Sequence, residues 1–234
     1  GNTNADGGDA NNTQTLTVDT QPASLSGVVL SDTAISEADA GSTVTATFTF
    51  SEAMDQASTP TIASNASTTL TAATNGRWTS STTYAIDYTV VDANVSLADI
   101  TFDVSAATDL AGNTMTAATG ASSSASVDTV APTVAISADV SSLKAGETAT
   151  ITFTFSEDPG SSFAWDGSSG DLSVTGGTLS AISGTGLTRT ATFTPATNST
   201  ANGVISVASG TFTDAAGNTN ADGGDANNTQ TLTV

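Results

Sequence analysis

Three short acidic motifs each occur twice along the chain. Val-Asp-Thr lies at 18–20 and 127–129, Phe-Ser-Glu at 50–52 and 155–157, and Asp-x-Ala-Gly-Asn at 109–113 and 214–218. Their side chains offer carboxylate and amide oxygens and nothing softer. Histidine and cysteine are absent from all 234 residues. That removes the serine-type triad, the commonest general base and the usual zinc sites. What remains is the chemistry of hard cations. Calcium takes six to eight oxygens at about 2.3–2.6 Å from carboxylates, amides and backbone carbonyls. Magnesium demands a tighter octahedron than loops from three places readily supply.

Charge points the same way. There are 23 acidic residues against three basic ones, Arg77, Lys144 and Arg189, for a net charge of −20. Such a chain repels nucleic acid and anionic lipid and attracts cations. No apolar run approaches the twenty residues of a membrane span, so neither nucleic acid nor membrane insertion is expected.

The elements that must position these motifs are strands. "STVTATFTFS" (42–51) alternates Val44, Ala46, Phe48 and Phe50 with Thr43, Thr45, Thr47 and Thr49. "TATITFTFSE" (148–157), "TYAIDYTV" (83–90) and "ADITFDVS" (98–105) alternate likewise. Period two with one apolar face predicts half-buried strands. Asn75-Gly76 predicts a tight hairpin turn. No stretch holds a helical period.

Repeats organise the strands. The eighteen residues "GNTNADGGDANNTQTLTV" stand at 1–18 and again at 217–234, a period of 216. Inside it "ATFTFSE" (46–52) returns as "ITFTFSE" (151–157), and "TDLAGNT" (108–114) as "TDAAGNT" (213–219), both 105 residues on. The reading is an all-β chain of two tandem seven-stranded immunoglobulin-like β-sandwiches in line, at 19–127 and 128–234. Residues 1–18 are read as the C-terminal hairpin or strand of a preceding repeat. The joints, "VDTQP" and "VDTVAP", are short and stiffened by Pro22 and Pro132.

In such a sandwich the strands alternate in direction, so the module N-terminus, the BC loop and the FG loop share one pole. The first pole collects Asp19, Glu52 and Asp109, with Asn113 and Asp55 nearby. The second collects Asp128, Glu157, Asp158 and Asp214, with Asn218. Two like charges 4 Å apart cost about 1 kcal/mol in water and about 4 at an effective dielectric of 20. A bound Ca²⁺ removes that cost. The opposite pole of the first module carries Asp32, Glu37, Asp39 and Asp92, which face the next module's cation pole and could complete its coordination. A plainer reading makes the acids solvated loop residues, and Asp-x-Ala-Gly-Asn a side-chain-closed turn.

The joints, the "TFTFSE" strand ends and the "DxAGN" turns resemble the bacterial immunoglobulin-like repeats of giant secreted adhesins. These are the type I-secreted, RTX-associated adhesins and biofilm proteins of Gram-negative bacteria. The resemblance implies an extracellular extender at the bacterial cell surface, held straight by Ca²⁺ at its joints, with neighbouring repeats of the same chain as partners, working as a monomeric rod or fibre component. It implies Asp19, Glu52 and Asp109, then Asp128, Glu157 and Asp214, as ligands. The first joint departs from the pattern by lacking Ala before Pro22. No enzyme activity is expected: the acids sit in loops repeated in each module, without an aromatic cleft. The alternative is a glycan- or ice-binding module that uses the threonine stripes. Trp78 and Trp165 occupy non-equivalent places and are expected to pack or act as lids rather than to bind sugar.

Overall fold

The computed structural model describes residues 14–222 and 226–234. The first module contains β1 (Leu25–Leu30), β2 (Ala34–Ser36), β3 (Thr43–Phe50), β4 (Thr61–Ser64), β5 (Leu70–Ala72) and β6 (Arg77–Trp78). It continues with β7 (Thr83–Val90), β8 (Ser96–Leu97), β9 (Thr101–Ser105), β10 (Ala118–Ser122) and β11 (Ser126–Asp128). One sheet runs β1-β3-β7-β5 and the facing one β10-β9-β4. In immunoglobulin lettering these are A-B-E-D against G-F-C. A short third sheet, β2-β11-β8, closes the far pole, with β11 parallel to β2 and antiparallel to β8.

The second module repeats the plan with β12 (Val134–Ala138), β13 (Ala149–Phe155), β14 (Leu172–Thr175), β15 (Gly177–Leu179), β16 (Thr188–Pro195), β17 (Gly203–Val207) and β18 (Thr229–Leu232). Its sheets are β12-β13-β16-β15 and β14-β17-β18. Each module is thus an immunoglobulin-like β-sandwich. Among the described residues the helical pieces are single 3-10 turns.

Alternation explains the cores. Val44, Ala46, Phe48 and Phe50 of β3 are buried, and Ala149, Ile151, Phe153 and Phe155 of β13 match them. Phe48 meets Phe102 of the opposite sheet edge-on at 5.3 Å. Trp78 packs on Phe50 and Tyr84, and its indole N–H donates to the Ser58 carbonyl at 2.8 Å. Trp165 packs against the second core. Both tryptophans are packing residues. Of the threonine stripe on β3, Thr45 donates its hydroxyl to Asp87 at 2.7 Å.

Asn75-Gly76 does not form the expected hairpin. β5 and β6 both pair with β7, Leu70 opposite Val90 and Trp78 opposite Tyr84, so 70–78 is one interrupted strand. The Asn75 side chain reaches across the gap. It donates to Asp87 Oδ2 at 2.6 Å and accepts the Asp87 N–H at 3.2 Å, which occupies the ladder positions a tight turn would have emptied. Chain reversal falls later, where Thr79 N–H donates to the Thr83 carbonyl at 2.9 Å.

Of the head segment, residues 1–13 lie outside the described residues. Residues 14–18 carry no strand, and Leu16 and Val18 are each 77% exposed. The duplicate of Leu16, Leu232, lies in β18 against β17 and is fully buried. In the second copy β17 supplies the backbone partner and the sheet face that a strand needs.

Candidate metal centres

Each group of acids is assembled from three elements. In the first module Asp19 precedes β1, Glu52 follows β3, and Asp109 lies between β9 and β10. In the second, Asp128 ends β11, Glu157 follows β13, and Asp214 lies between β17 and β18. One carboxylate oxygen from each of Asp19, Glu52 and Asp109 lies within 4.8 Å of the other two, and the same holds for Asp128, Glu157 and Asp214. Two oxygens on one Ca²⁺ lie at most about 5 Å apart. The all-oxygen donor set and its spacing fit that ion.

The Asp-x-Ala-Gly-Asn turn is built the same way twice. Asp109 Oδ1 accepts the N–H groups of Ala111 (2.8 Å) and Asn113 (2.9 Å), and Oδ2 accepts from the Asn113 amide (2.9 Å). Asp214 accepts the Asn218 N–H at 3.0 Å and its amide at 2.9 Å. The chain reverses at Gly112 (φ +89°) and Gly217 (φ +92°), where a side chain would be strained. The turn therefore closes on its own aspartate and also presents that aspartate to the pole. Asn113 further donates to the Asp19 carbonyl at 3.3 Å, joining the turn to the linker. Asp19 and Asp128 each accept one linker N–H, from Gln21 (3.0 Å) and Val130 (3.2 Å).

Electrostatics mark both groups as crowded. Burial, then the charges of Asp19 and Asp109, push the Glu52 carboxyl above its ordinary value. Burial, then Asp128 and Asp214, do the same to Glu157. Burial raises Asp109 too, but the bonds from Asn113, Ala111 and Gly112 outweigh it and hold that carboxyl below its ordinary value. In both glutamates burial acts first and the neighbouring carboxylates add to it.

Other acids named from the sequence stand apart from these triads. Asp158 turns to Arg189, 3.4 Å away, and accepts the Gly160 N–H at 2.9 Å. Asp55 accepts the Ala57 N–H at 2.9 Å, and Asp92 the Asn94 N–H at 3.3 Å. Asp32 accepts from Ala34 and Asp39 from Ser36. Glu37 does reach the next module, but it meets Asn218 and Thr219 rather than the carboxylates.

Sequence reasoning missed a polar network beneath the second pole. Asp222, fully buried, accepts the Val134 N–H at 2.8 Å and the Asn220 amide at 3.0 Å. Asn220 accepts from Thr211 and Phe212, and Asn228 donates to the carbonyls of Val207 and Asp222. Its one signal was the pair Asn220 and Asp222, standing where the first module has Met115 and Ala117.

Residues 128–231 match a family model described as a bacterial Ig-like domain. No curated protein matches the chain. Among solved structures it is similar to the Escherichia coli adhesin FdeC, at 18% identity and a TM-score of 0.44, over 89% of this chain and 62% of that one. It is similar to the Yersinia pseudotuberculosis adhesin InvE, at 13% and 0.35, over 89% and 59%. Domains 5–6 of the S-layer protein SbsC give 11% and 0.26, over 90% and 97%. The chain spans about three fifths of the length of the two adhesin structures.

Proposed function

We propose that the chain is a structural extender of a large bacterial surface adhesin or extracellular fibre, with Ca²⁺ bound where each module begins. Asp19, Glu52 and Asp109 would hold one ion. Asp128, Glu157 and Asp214 would hold another at the joint between the modules, with Asn113 and Asn218 orienting the FG aspartates. The observation that carries this reading is the recurrence of the same carboxylate triad, from the same three elements, at both module entries. Bound there, the cation supplies charge neutralisation and a tie between linker and loops.

The role of each residue follows from its place in the chain. Asp128 belongs to the linker, whereas Glu157 and Asp214 belong to the second module. An ion shared among them fixes the linker's exit from β11 onto the BC and FG loops. Asp19 does the same for the linker entering the first module. The acids lie at loop poles and both tryptophans are spent on packing, which supports a structural reading over a catalytic one. Neighbouring repeats of the same chain are the partners, and the site of action is the cell surface or beyond it.

Calcium titration with thermal melting tests the proposal. Saturating Ca²⁺ is expected to raise the melting temperature and reduce motion between modules, and chelator to reverse both. Identical melting curves in Ca²⁺ and in chelator would refute it.

A further inference from the structure

A second tie crosses the joint without involving the triad. Glu37 opens the 3-10 turn Glu37–Asp39 at the far pole of the first module. Its backbone N–H donates to Asn218 Oδ1 at 2.8 Å. Its carboxylate Oε2 accepts the Thr219 N–H at 3.2 Å and lies 3.4 Å from the Thr219 hydroxyl. The turn is itself fixed: Ser36 N–H donates to Asp39 Oδ2 at 2.8 Å and Ala40 N–H to the Glu37 carbonyl at 3.1 Å. Beside it, Ala215 and Ala216 of the second module border a cleft of about 480 Å³ lined by Ile35, Leu97 and Val127 of the first.

The second module's far pole keeps the turn but not the glutamate. Its parallel bridge Ser142–Thr233 stands where Ala34 pairs with Ser126. Its bond from Lys144 N–H to Glu147 Oε2, 2.9 Å, stands where Ser36 bonds Asp39. Both correspondences are offset by 108 residues on the turn, which puts Ala145 at the place of Glu37. The receiving turn, in contrast, is the same in both modules: Asn113-Thr114 and Asn218-Thr219, each closed by a bridge to Thr108 or Thr213.

We infer that Glu37 is a latch that fixes the second module's orientation on the first, and that the second module's own far pole lacks it. In serial copies of the 216-residue period, a latched joint alternates with an unlatched one. The alternation rests on reading the chain as serial modules; the latch touches none of the three carboxylates, and the backbone N–H that meets Asn218 is kept when the Glu37 side chain is changed. The physical reason is geometric. Small interfaces leave neighbouring modules free to move relative to each other. A carboxylate that accepts a backbone N–H at a fixed turn removes rotation about the linker, which an alanine cannot do.

The chain has no cysteine, so a pair of spin labels at Thr71→Cys and Thr194→Cys, one exposed position per module, reports the joint unambiguously. With the full chain in saturating Ca²⁺, Glu37→Ala is expected to broaden the inter-label distance distribution by about twofold, toward that of weakly docked modules. Glu37→Gln, which keeps an acceptor oxygen, is expected to stay close to the parent, and the calcium midpoint to be the same in all three. A Glu37→Ala distribution as narrow as the parent's overturns the latch, even if chelator broadens it and so upholds the calcium reading. A Glu37→Ala calcium midpoint displaced as far as that of Asp128→Ala makes Glu37 a ligand and also overturns it. Broadening by Glu37→Ala in a chain that ignores calcium upholds the latch and refutes the calcium reading.

Discussion

Above the two cores sit matching carboxylate triads, yet the cores are filled differently. Under Asp109 the first module packs Met54 and Met115, both buried. Under Asp214 the second packs Phe155, Phe163 and Phe212, with neighbouring ring centroids 4.7–5.5 Å apart. The Arg189 guanidinium lies 5.5 Å and 5.9 Å from the centroids of Phe155 and Phe163. It donates to the carbonyls of Phe163 (2.8 Å) and Gly160 (2.5 Å). Where the first module has Met115, the second has Asn220 and its buried partners. A core tolerates exchange of this kind so long as volume is filled and polar groups are paired. If the pole holds the proposed ion, it has less latitude, because an ion needs particular atoms at particular distances.

The largest test of that contrast is Phe163→Ala. Removing a ring from the aromatic cluster should cost the second module about 3–5 kcal/mol. Calorimetry should show one transition falling while the first module's stays. If both fall together, the modules unfold as a unit and the contrast between separate cores is lost.

Next comes the pole. A hundredfold excess of Ca²⁺ over its dissociation constant stabilises by about 2.7 kcal/mol per site. Asp128→Ala should forfeit that increment at the middle joint while both sandwiches remain folded in chelator. Preservation of the full calcium-induced shift in that variant would remove Asp128 from the site.

Asp222→Ala should cost about 1–3 kcal/mol by leaving the Val134 N–H buried and unpaired. Met115→Leu, at the first-module position that matches Asn220 of the same network, should cost less than about 1.5 kcal/mol. Denaturant midpoints that rank these two the other way would mean the polar network contributes nothing.

A smaller effect is the pH dependence. Glu52 and Glu157 are raised above the ordinary 4.5 in the folded chain. In chelator their contribution is full below that ordinary value and is lost as pH rises through the raised one. Bound calcium needs the ionised form, so its presence should reverse the trend. Melting temperatures across about pH 4 to 7, with and without calcium, check the sign. The smallest effect belongs to Asp139→Ala. That side chain accepts the Thr150 N–H at 2.8 Å, away from the triad, so the calcium midpoint should not move.

The convergence of the six carboxylates was legible because strands alternate in direction: once the repeats fix seven strands per module, the ends of B, F and the linker must share a pole. Alternation likewise placed β3, β7 and β13. What escaped depended on side chains meeting across the fold. Asn75-Gly76 has the composition of a turn, and only Asp87 opposite it makes it a strand interruption. Asp158 follows Glu157 directly, yet Arg189, thirty-one residues away in sequence, draws it off. Asn220, Asp222 and Asn228 look like loop residues, and their burial arises from β17 and β12 closing over them.

The short parallel pairing of β2 with β11 carries a mechanical consequence. Ser126, Val127 and Asp128 lie beside Ala34, Ile35 and Ser36, with both strands running the same way. Both strands lie at the far pole, but β2 comes early in the module's chain and β11 ends it. A pull on the two ends of the chain therefore slides these strands along each other, and their hydrogen bonds are loaded together in shear rather than peeled one by one. The last residue of that loaded segment is Asp128, so tension leaving the first sandwich passes directly into the side of the joint where the triad gathers.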